Sequence, residues 1–558
     1  MSESINDSIQ GLDDETRKMV CDTVRGLKTR ILTSDRIHQW DHQDEFPEKI
    51  IRELMGPEIG LQLVFIPENY GGMGGGARDV CLLTKEMAQI CLGVSTAFFA
   101  IQLGLEPILV GGTESQKQKW ISRIAEGNSI VAYAATEPEA GSNLAALTTR
   151  AEPQYDDSGK IISYKLNGSK QFISNGGYAD FICVLANTPE GPSFFIVEKG
   201  SPGLFQGKGE KKHGIRASNT SPLSFSDLIV PADQLIGDSP GNGMKQANQV
   251  FGYTRLMVGS MAVGASCSAL SRVIEYAKER IQFGSPLFQK QGYTHKLIVP
   301  HVVRLKAALT YIDAMAMRWD SGDQDIQTES AIAKYFASES ANHAADDAIQ
   351  ALGGYGYIAE YGVEKIKRDV KITCIYEGTS EILQNLISIF RWKKTRKTKG
   401  DFYRAIANKM TDIHNANNEL GAIHYHHNAN LLNTVIDWVH THRLSKQQFV
   451  LFTLADMVTW LEVGNCLTQK IFESQAIITH MKAISRLFAQ QVSQTIFNGA
   501  LTILQGSKNC DGFDDCMNQM NWHHVMNTYD TLLSDMDCVV TYLDNYPGSK
   551  GLEGLMNG

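Results

Sequence analysis

Apolar and polar positions alternate with three different rhythms along the chain. From about residue 12 to 128 apolar residues recur at helical spacing, as in Leu82-Leu83-Thr84-Lys85-Glu86-Met87-Ala88. This predicts helices, interrupted by the loop PENYGGMGGG at 67–76. From about 130 to 237 the runs shorten to strand length: YKLNGSKQFIS, DFICVLA, SFFIVEKG and SPLSFSDLIV. Asn-Gly and Gly-Gly turns punctuate them, as in an antiparallel barrel or sandwich. From about 244 to 390 long amphipathic segments return, among them SALSRVIEYAKERIQF and ESAIAKYFASESANHAADDAIQAL. The basic stretch RWKKTRKTKG (391–400) reads as a solvated linker or helix end. Beyond it, QQFVLFTLADMVTWLEVGNCLTQKIF and AISRLFAQQVSQTIFNGALTIL are again helical. The expected fold is mainly α with a central β-domain. Its expected divisions are an N-terminal helical domain (1–129), a β-domain (130–240), a helical bundle (241–395) and an additional C-terminal helical domain (396–558).

Composition narrows the function classes. The chain has 558 residues, is 43% hydrophobic and carries a net charge of −9. That size supplies several cores, and that charge offers no basic surface for nucleic acid. The opening MSESINDSIQGLDDETRK is polar and acidic, unlike a secretory or transit segment. No run of about 18 uninterrupted apolar residues appears, so neither a spanning helix nor membrane association is expected. Ten cysteines are scattered without CxxC spacing, which fits reduced thiols and a cytoplasmic location.

Several stretches carry candidate chemistry. Gly72-Met73-Gly74-Gly75-Gly76-Ala77 satisfies GxGxxA, but no βαβ alternation surrounds it, so an inter-helix loop is expected. The loop YAATEPEAGSNL (133–144) offers neutral donors from Thr136, Ser142 and the backbone around Gly141, suited to a polar ring edge or a phosphate, or to an ordinary turn. In GSKQFISNGG (168–177), two-residue alternation puts Phe172 and Ser174 on one face of a strand, a stacking group beside a hydroxyl. FGYTR places Arg255 near a helix start. ERIQFGSPL ends a helix at Gly284 and Pro286 with Arg280 and Gln282 exposed, and QALGGYGYIAEYG breaks one at a glycine pair. The His cluster IHYHHN (423–428) lacks acidic or Cys companions at ligand spacing, so a solvated helix end and no metal site are expected. In CIYEGTSEIL (374–383) a single carboxylate, Glu377, stands between an apolar run and a flexible glycine. It is either a capped surface helix start or a base in an apolar pocket.

In this order and spacing, TEPEAGSN, KQFISNGG, KKHGIRASNT leading to VPADQLIG, FGYTR, ERIQFGSPL, QALGGYGY and IYEGTSEI resemble the acyl-CoA dehydrogenase family, over residues 15–395. The resemblance implies a helix–β–helix fold in homodimers or homotetramers, with non-covalent flavin adenine dinucleotide (FAD). It implies that Tyr133, Ala135, Thr136, Gly141 and Ser142 meet the flavin and that Phe172, Ile173 and Ser174 lie along it. Arg280, Gln282, Gln350, Gly353 and Gly354 would reach a neighbouring subunit's FAD, Phe283 and Gln291 would also bind the cofactor, and Gly378, Thr379 and Glu381 would touch the FAD's adenosine portion. Ser142, Tyr253, Thr254 and Arg255 would face the acyl-CoA, and Glu377 would be the base. One branch of the family carries its base at the position of Thr254, which cannot do that work. Phe172, Asn143, Gly252 and Glu139 depart from commoner residues of the family.

The implied activity is α,β-desaturation of an acyl-CoA, with α-proton abstraction by Glu377, hydride transfer to flavin N5 and electron-transfer flavoprotein as acceptor. An O₂-using acyl-CoA oxidase, an enoyl-CoA reductase and a catalytically silent assembly protein stand as alternatives. Phe98 and Phe99 suggest crowding of a long straight acyl chain, and the absence of Arg between Arg78 and Arg123 speaks against a glutaryl group. The extra C-terminal segment resembles that of larger family members and is expected to pack on the main body.

Overall fold

The computed structural model describes residues 11–323, 325–474, 476–518, 520 and 527–557; the polar opening segment at 1–10 lies outside them. Helix Asp14–Arg30 begins at Asp13, whose carboxylate accepts from the Thr16 N–H at 2.8 Å. Helices Ala77–Ile90, Leu92–Gly111 and Glu114–Ala125 follow the glycine-rich loop. In that loop Gly72 lies so close to Ile66 that a Cβ would sit 1.9 Å from its carbonyl oxygen, so the loop's glycines serve packing.

Seven strands form one sheet: β1 Val131–Ala134, β2 Arg150–Tyr155, β3 Ile161–Ser174, β4 Phe181–Thr188, β5 Gly191–Glu198, β6 Leu204–Gln206 and β7 Thr220–Pro231. Their order is β1-β4-β2-β3-β7-β6, with β5 also paired to β4. Most pairs are antiparallel, as expected, but β4 has parallel neighbours: β1, with Val131 opposite Phe181, and β2, with Arg150 opposite Asn187. The chain between β1 and β4, which holds β2 and β3, is long enough for the crossover a parallel pair needs. Tyr164, Leu166, Ile182, Val184, Phe195, Leu223 and Phe225 fill the core of this domain.

Helix Gly243–Glu279 is longer than expected at its start, so Arg255 lies well inside it, and it ends at Glu279 rather than at Gly284. A two-strand hairpin, Ile281–Gln282 with Ser285–Pro286, follows. Helices Val299–Asp320, Gln327–Leu352 and Ser380–Lys397 complete this region. Further on come Asp401–Ala416, Ala422–Thr441, Gln448–Glu473, Thr479–Gly506, Phe513–Asn518, Leu532–Asp544 and Lys550–Asn557.

Both charged stretches lie at helix ends, as expected, but each also carries buried contacts that a solvated end would lack. The basic run at 391–400 is mostly helix, and Arg391 is buried because Glu329 and Glu462 neutralise it. The His cluster occupies the first turns of Ala422–Thr441, with Tyr425 and Asn428 buried between its half-buried imidazoles. His426 Nδ1 lies 2.9 Å from the Thr411 hydroxyl, and burial drives His424 down to about 4, so the cluster packs against its neighbours. No group of three metal-ligating side chains occurs among the described residues.

Apolar runs are broken in sequence, yet among the described residues three helices are long and apolar enough to cross a membrane by length and composition: Leu92–Gly111, Gly243–Glu279 and Gln448–Glu473. Buried residues make up 83%, 83% and 67% of their apolar windows, so most of that surface is already covered by protein.

The chain divides into two compact units. One comprises Met1–Ala265, Ala316–Asp325 and Arg368–Ile372; the other comprises Ser266–Met315, Ile326–Lys367 and Thr373–Gly558.

Candidate active site

The sequence-predicted residues fall into two sets, one in each unit. In the first, Tyr133 is half-buried on β1, its ring 5.5 Å from that of Phe194 and 6.4 Å from that of Phe251. The chain then turns through Ala135 and Thr136 into the TEPEAGSN loop. Glu137 shapes this loop. Its carboxylate accepts from the Thr148 N–H and hydroxyl at 2.7 Å each, from the Thr149 N–H at 3.0 Å, and from Lys170 Nζ at 2.9 Å. The same ammonium reaches the Ala135 carbonyl at 2.9 Å. Burial opposes ionisation of Glu137, but Lys170 and the threonine donors outweigh it and hold the carboxyl at about 2. Burial draws Lys170 down to about 8, against the pull of Glu137. A closed backbone pair between Glu137 and Ala140 leaves Gly141 and Ser142 exposed at the tip.

At the end of β3 the Gln171 N–H donates to the Thr136 carbonyl at 2.9 Å. Phe172 then takes φ = +60°, and the β3–β7 register shifts between Lys170 and Ile173. This bulge interrupts the two-residue alternation, so the expected shared face of Phe172 and Ser174 does not follow from the pleat. Phe172 instead stands 64% exposed, Ile173 is buried, and Ser174 is half-buried opposite Thr220.

Tyr253, Thr254 and Arg255 are all buried. Tyr253 stacks on Trp319 at 5.7 Å and accepts from Gln102 Nε2 at 2.7 Å. Thr254 donates its hydroxyl to the Val250 carbonyl, and the Arg255 guanidinium lies over the Phe251 ring. Glu106 is buried beside Gln102, and burial lifts its carboxyl to about 7. Phe98 and Phe99 are fully enclosed and pack edge-on to each other, with Phe65 alongside, so their rings are core.

In the second unit, Glu377 sits in the turn before helix Ser380–Lys397, half-buried, at φ = +56°, followed by Gly378 at φ = +96°. A left-handed non-glycine residue costs about 1–3 kcal/mol and persists only where its surroundings impose it. Those surroundings are visible. Lys334 Nζ donates to the Gly378 carbonyl at 2.7 Å, Thr379 caps the helix through the Ile382 N–H at 3.3 Å, and the Ser380 hydroxyl bonds the Glu339 carboxylate. Before the turn, Cys374 is buried and its sulfur accepts from Asn342 Nδ2 at 3.1 Å. Ile375 is 48% exposed and Tyr376 half-buried, so the expected apolar wall before Glu377 narrows to Cys374. Glu381 is exposed in the first helical turn.

The remaining candidates also lie in this unit. Arg280 and Gln282 are exposed, with the Arg280 guanidinium over the Tyr355 ring at 5.8 Å. Phe283 takes φ = +51° and is 95% exposed, and Gln291 opens the short helix Gln291–Leu297. Helix Gln327–Leu352 ends after exposed Gln350. A Cβ on Gly353 or Gly354 would meet nothing within 4 Å.

Each set suits part of the flavin that the resemblance implies. The first offers neutral hydroxyls at Thr136, Ser142 and Ser174 and an exposed aromatic at Phe172, a donor set for an uncharged ring edge and a stacking face. The second offers an exposed guanidinium at Arg280 and the bare backbone of Gly353-Gly354, suited to a phosphate and to close approach. Glu137, Lys170 and Lys334 were not foreseen, since ionic groups in a motif read as surface; KQFIS does place Lys170 at an inward strand position.

Comparison with known proteins gives a consistent result. Family models described as acyl-CoA dehydrogenase N-terminal, middle and C-terminal domains match residues 14–128, 132–228 and 241–389. An acyl-CoA dehydrogenase of Bacillus subtilis (strain 168) is 39% identical over 351 residues, covering 62% of this chain and 90% of that protein. A cyclohex-1-ene-1-carbonyl-CoA dehydrogenase of Geobacter metallireducens is 36% identical over 374 residues, 66% of this chain and 96% of its own. An acyl-CoA dehydrogenase from Bacillus anthracis, solved in complex with FAD, superposes with a TM-score of 0.82 over 99% of this chain and 98% of that one. At 23% identity it speaks to the fold alone, including the added C-terminal helices.

Proposed function

The chain belongs to the acyl-CoA dehydrogenase family, and on that premise we propose that it desaturates an acyl-CoA thioester at Cα–Cβ with FAD as cofactor and Glu377 as base. The family is one of flavin-dependent oxidoreductases acting on acyl-CoA; the identity of each site residue is our assignment. One observation carries it: Glu377 of the IYEGTSEI turn is held in a left-handed conformation just before a helix N-terminus, with a buried lysine on the next carbonyl. Such outliers gather at functional sites.

Bound flavin supplies the acceptor for the β-hydride. This chain's residues do the rest. Glu377 takes the α-proton, and its backbone N–H is the donor the protein offers to the developing enolate oxygen; one such donor is worth about 10²–10³ in rate. Tyr253, Thr254, Arg255 and Ser142 would orient the acyl-CoA. Thr136, Ser142, Phe172, Ile173 and Ser174 would hold the ring system. Arg280, Gln282, Phe283, Gln291, Gln350, Gly353 and Gly354 would serve FAD across a homodimer or homotetramer contact. Electron-transfer flavoprotein is our choice of acceptor and the cytoplasm our choice of location, the first following from the family and the second from the cysteine pattern.

Anaerobic titration with straight, branched, cyclic and aromatic acyl-CoAs tests the reading. Purified protein should be yellow and should bleach with at least one class. Colourless protein, or no bleaching by any thioester, overturns it, and peroxide released during aerobic turnover assigns an oxidase instead.

A further inference from the structure

Three side chains from three helices of the second unit close a triangle behind the Glu377 turn. Asp456, on Gln448–Glu473, accepts through Oδ1 from the Tyr335 hydroxyl at 2.6 Å and from Gln384 Nε2 at 2.9 Å. Gln384 also donates to the Tyr335 oxygen at 2.9 Å. Burial and the neighbouring Asp456 push the Tyr335 phenol far above its ordinary range, so it remains a donor throughout the useful pH range.

Both partners of Asp456 lead to the turn. Tyr335 is next to Lys334, whose ammonium holds the Gly378 carbonyl. Gln384 lies one turn along the helix that Thr379 caps, and Ser380 at its start is bonded to Glu339, one turn beyond Tyr335. The same added helix grips a second time further down. Glu462 receives the Arg391 fork at 2.7 Å through both oxygens and the Tyr403 hydroxyl at 3.2 Å, while Glu329 Oε1 lies 3.0 Å from Nη2 of the same guanidinium. Asp456 and Glu462 lie beyond residue 389, where the family match ends. The chain's added domain therefore contributes the acceptors that lock the two helices flanking the turn.

We infer that the C-terminal helical domain is part of the catalytic apparatus through Asp456, a positioning residue that fixes the Tyr335 and Gln384 helices and so the placement of Glu377; this rests on Glu377 being the base. A strained turn needs over-determined surroundings, and loss of the acceptor lets the two helices relax. A displacement of about 1 Å in a reacting group costs on the order of 10²-fold in rate.

The test uses the full-length flavin-loaded enzyme and rapid anaerobic mixing with the best acyl-CoA of the panel. Asp456→Ala should slow flavin reduction about 10–100-fold. Its KM should stay within about twofold, with flavin content and spectrum unchanged. Asp456→Asn, which keeps the Oδ1 acceptor, should restore the rate to within about threefold of wild type. Should Asp456→Ala not fold, Tyr335→Phe removes one hydroxyl only and should show the same split in kcat against KM. Thr468→Val, which cuts the buried Thr468–Ser485 hydroxyl pair of the same domain, should lower Tm and leave the rate alone. Wild-type reduction in Asp456→Ala, or equal slowing in Thr468→Val, overturns the inference. A silent Glu377→Gln beside a normal Asp456→Ala rejects the positioning role alone, whereas an active Glu377→Gln rejects the base assignment and this inference with it.

Discussion

Lys334 is completely buried and donates its ammonium to the carbonyl oxygen of Gly378, the residue after Glu377, at 2.7 Å. The place of this lysine gives it a role: its ammonium helps to fix a turn whose glutamate is strained. Lys334→Met should leave that carbonyl without its donor and lower stability by roughly 1–3 kcal/mol. Flavin reduction should slow by at least tenfold while the flavin stays bound. Urea unfolding and single-turnover reduction measure the two effects.

The Glu137–Lys170 pair predicts an acid response of the TEPEAGSN loop. The folded carboxyl lies at about 2 against an ordinary 4.5. Its stabilising contribution is therefore complete above about pH 4.5 and is lost as pH falls towards 2. Wild type should exceed Glu137→Gln in Tm at pH 6, and the gap should narrow by pH 3. Amide exchange at Thr148 and Thr149, whose N–H groups the carboxylate receives, should accelerate in the variant.

Glu106 behaves in the opposite sense. Burial raises its carboxyl from 4.5 to about 7, so its favourable contribution is present below about pH 4.5 and fades as pH climbs through 7. The neighbouring Gln102 Oε1 is buried without a hydrogen-bond partner, and the amide of Glu106→Gln adds a donor beside it. Thermal unfolding should show the variant close to wild type at pH 4.5 and more stable at pH 8, by on the order of 1–3 kcal/mol.

Arg391 with Glu329 and Glu462 forms a buried ionic cluster. Arg391→Met strands two carboxylates and should cost about 3–5 kcal/mol in chemical denaturation. Replacing Arg391 and Glu462 together by apolar residues should cost less than the single change.

Much of the site was legible because its signals are local. Thr379 is a cap by residue type and spacing, the glycine pair at 353–354 marks a helix end, and each motif carries its own turn chemistry. The rest depends on contacts distant in sequence. Phe172 and Glu377 adopt left-handed backbone with ordinary side chains, which no local preference announces. Arg391 reads as one more charge in a basic run until Glu462 is brought beside it. The parallel β1–β4 pair is hidden because both strands, taken singly, look like members of an antiparallel meander. Helix ends shifted too: Gly243–Glu279 starts well before Arg255 and stops at Glu279 rather than Gly284.

The most direct test of the account is single-turnover anaerobic reduction of Glu377→Gln by an acyl-CoA that bleaches the wild type. The variant should purify yellow, bind the thioester and stay oxidised, its reduction slowed by at least about 10³-fold, beyond the 10²–10⁴ typical of losing a positioned base at its lower end. Bleaching at the wild-type rate would contradict the account and place the proton acceptor elsewhere.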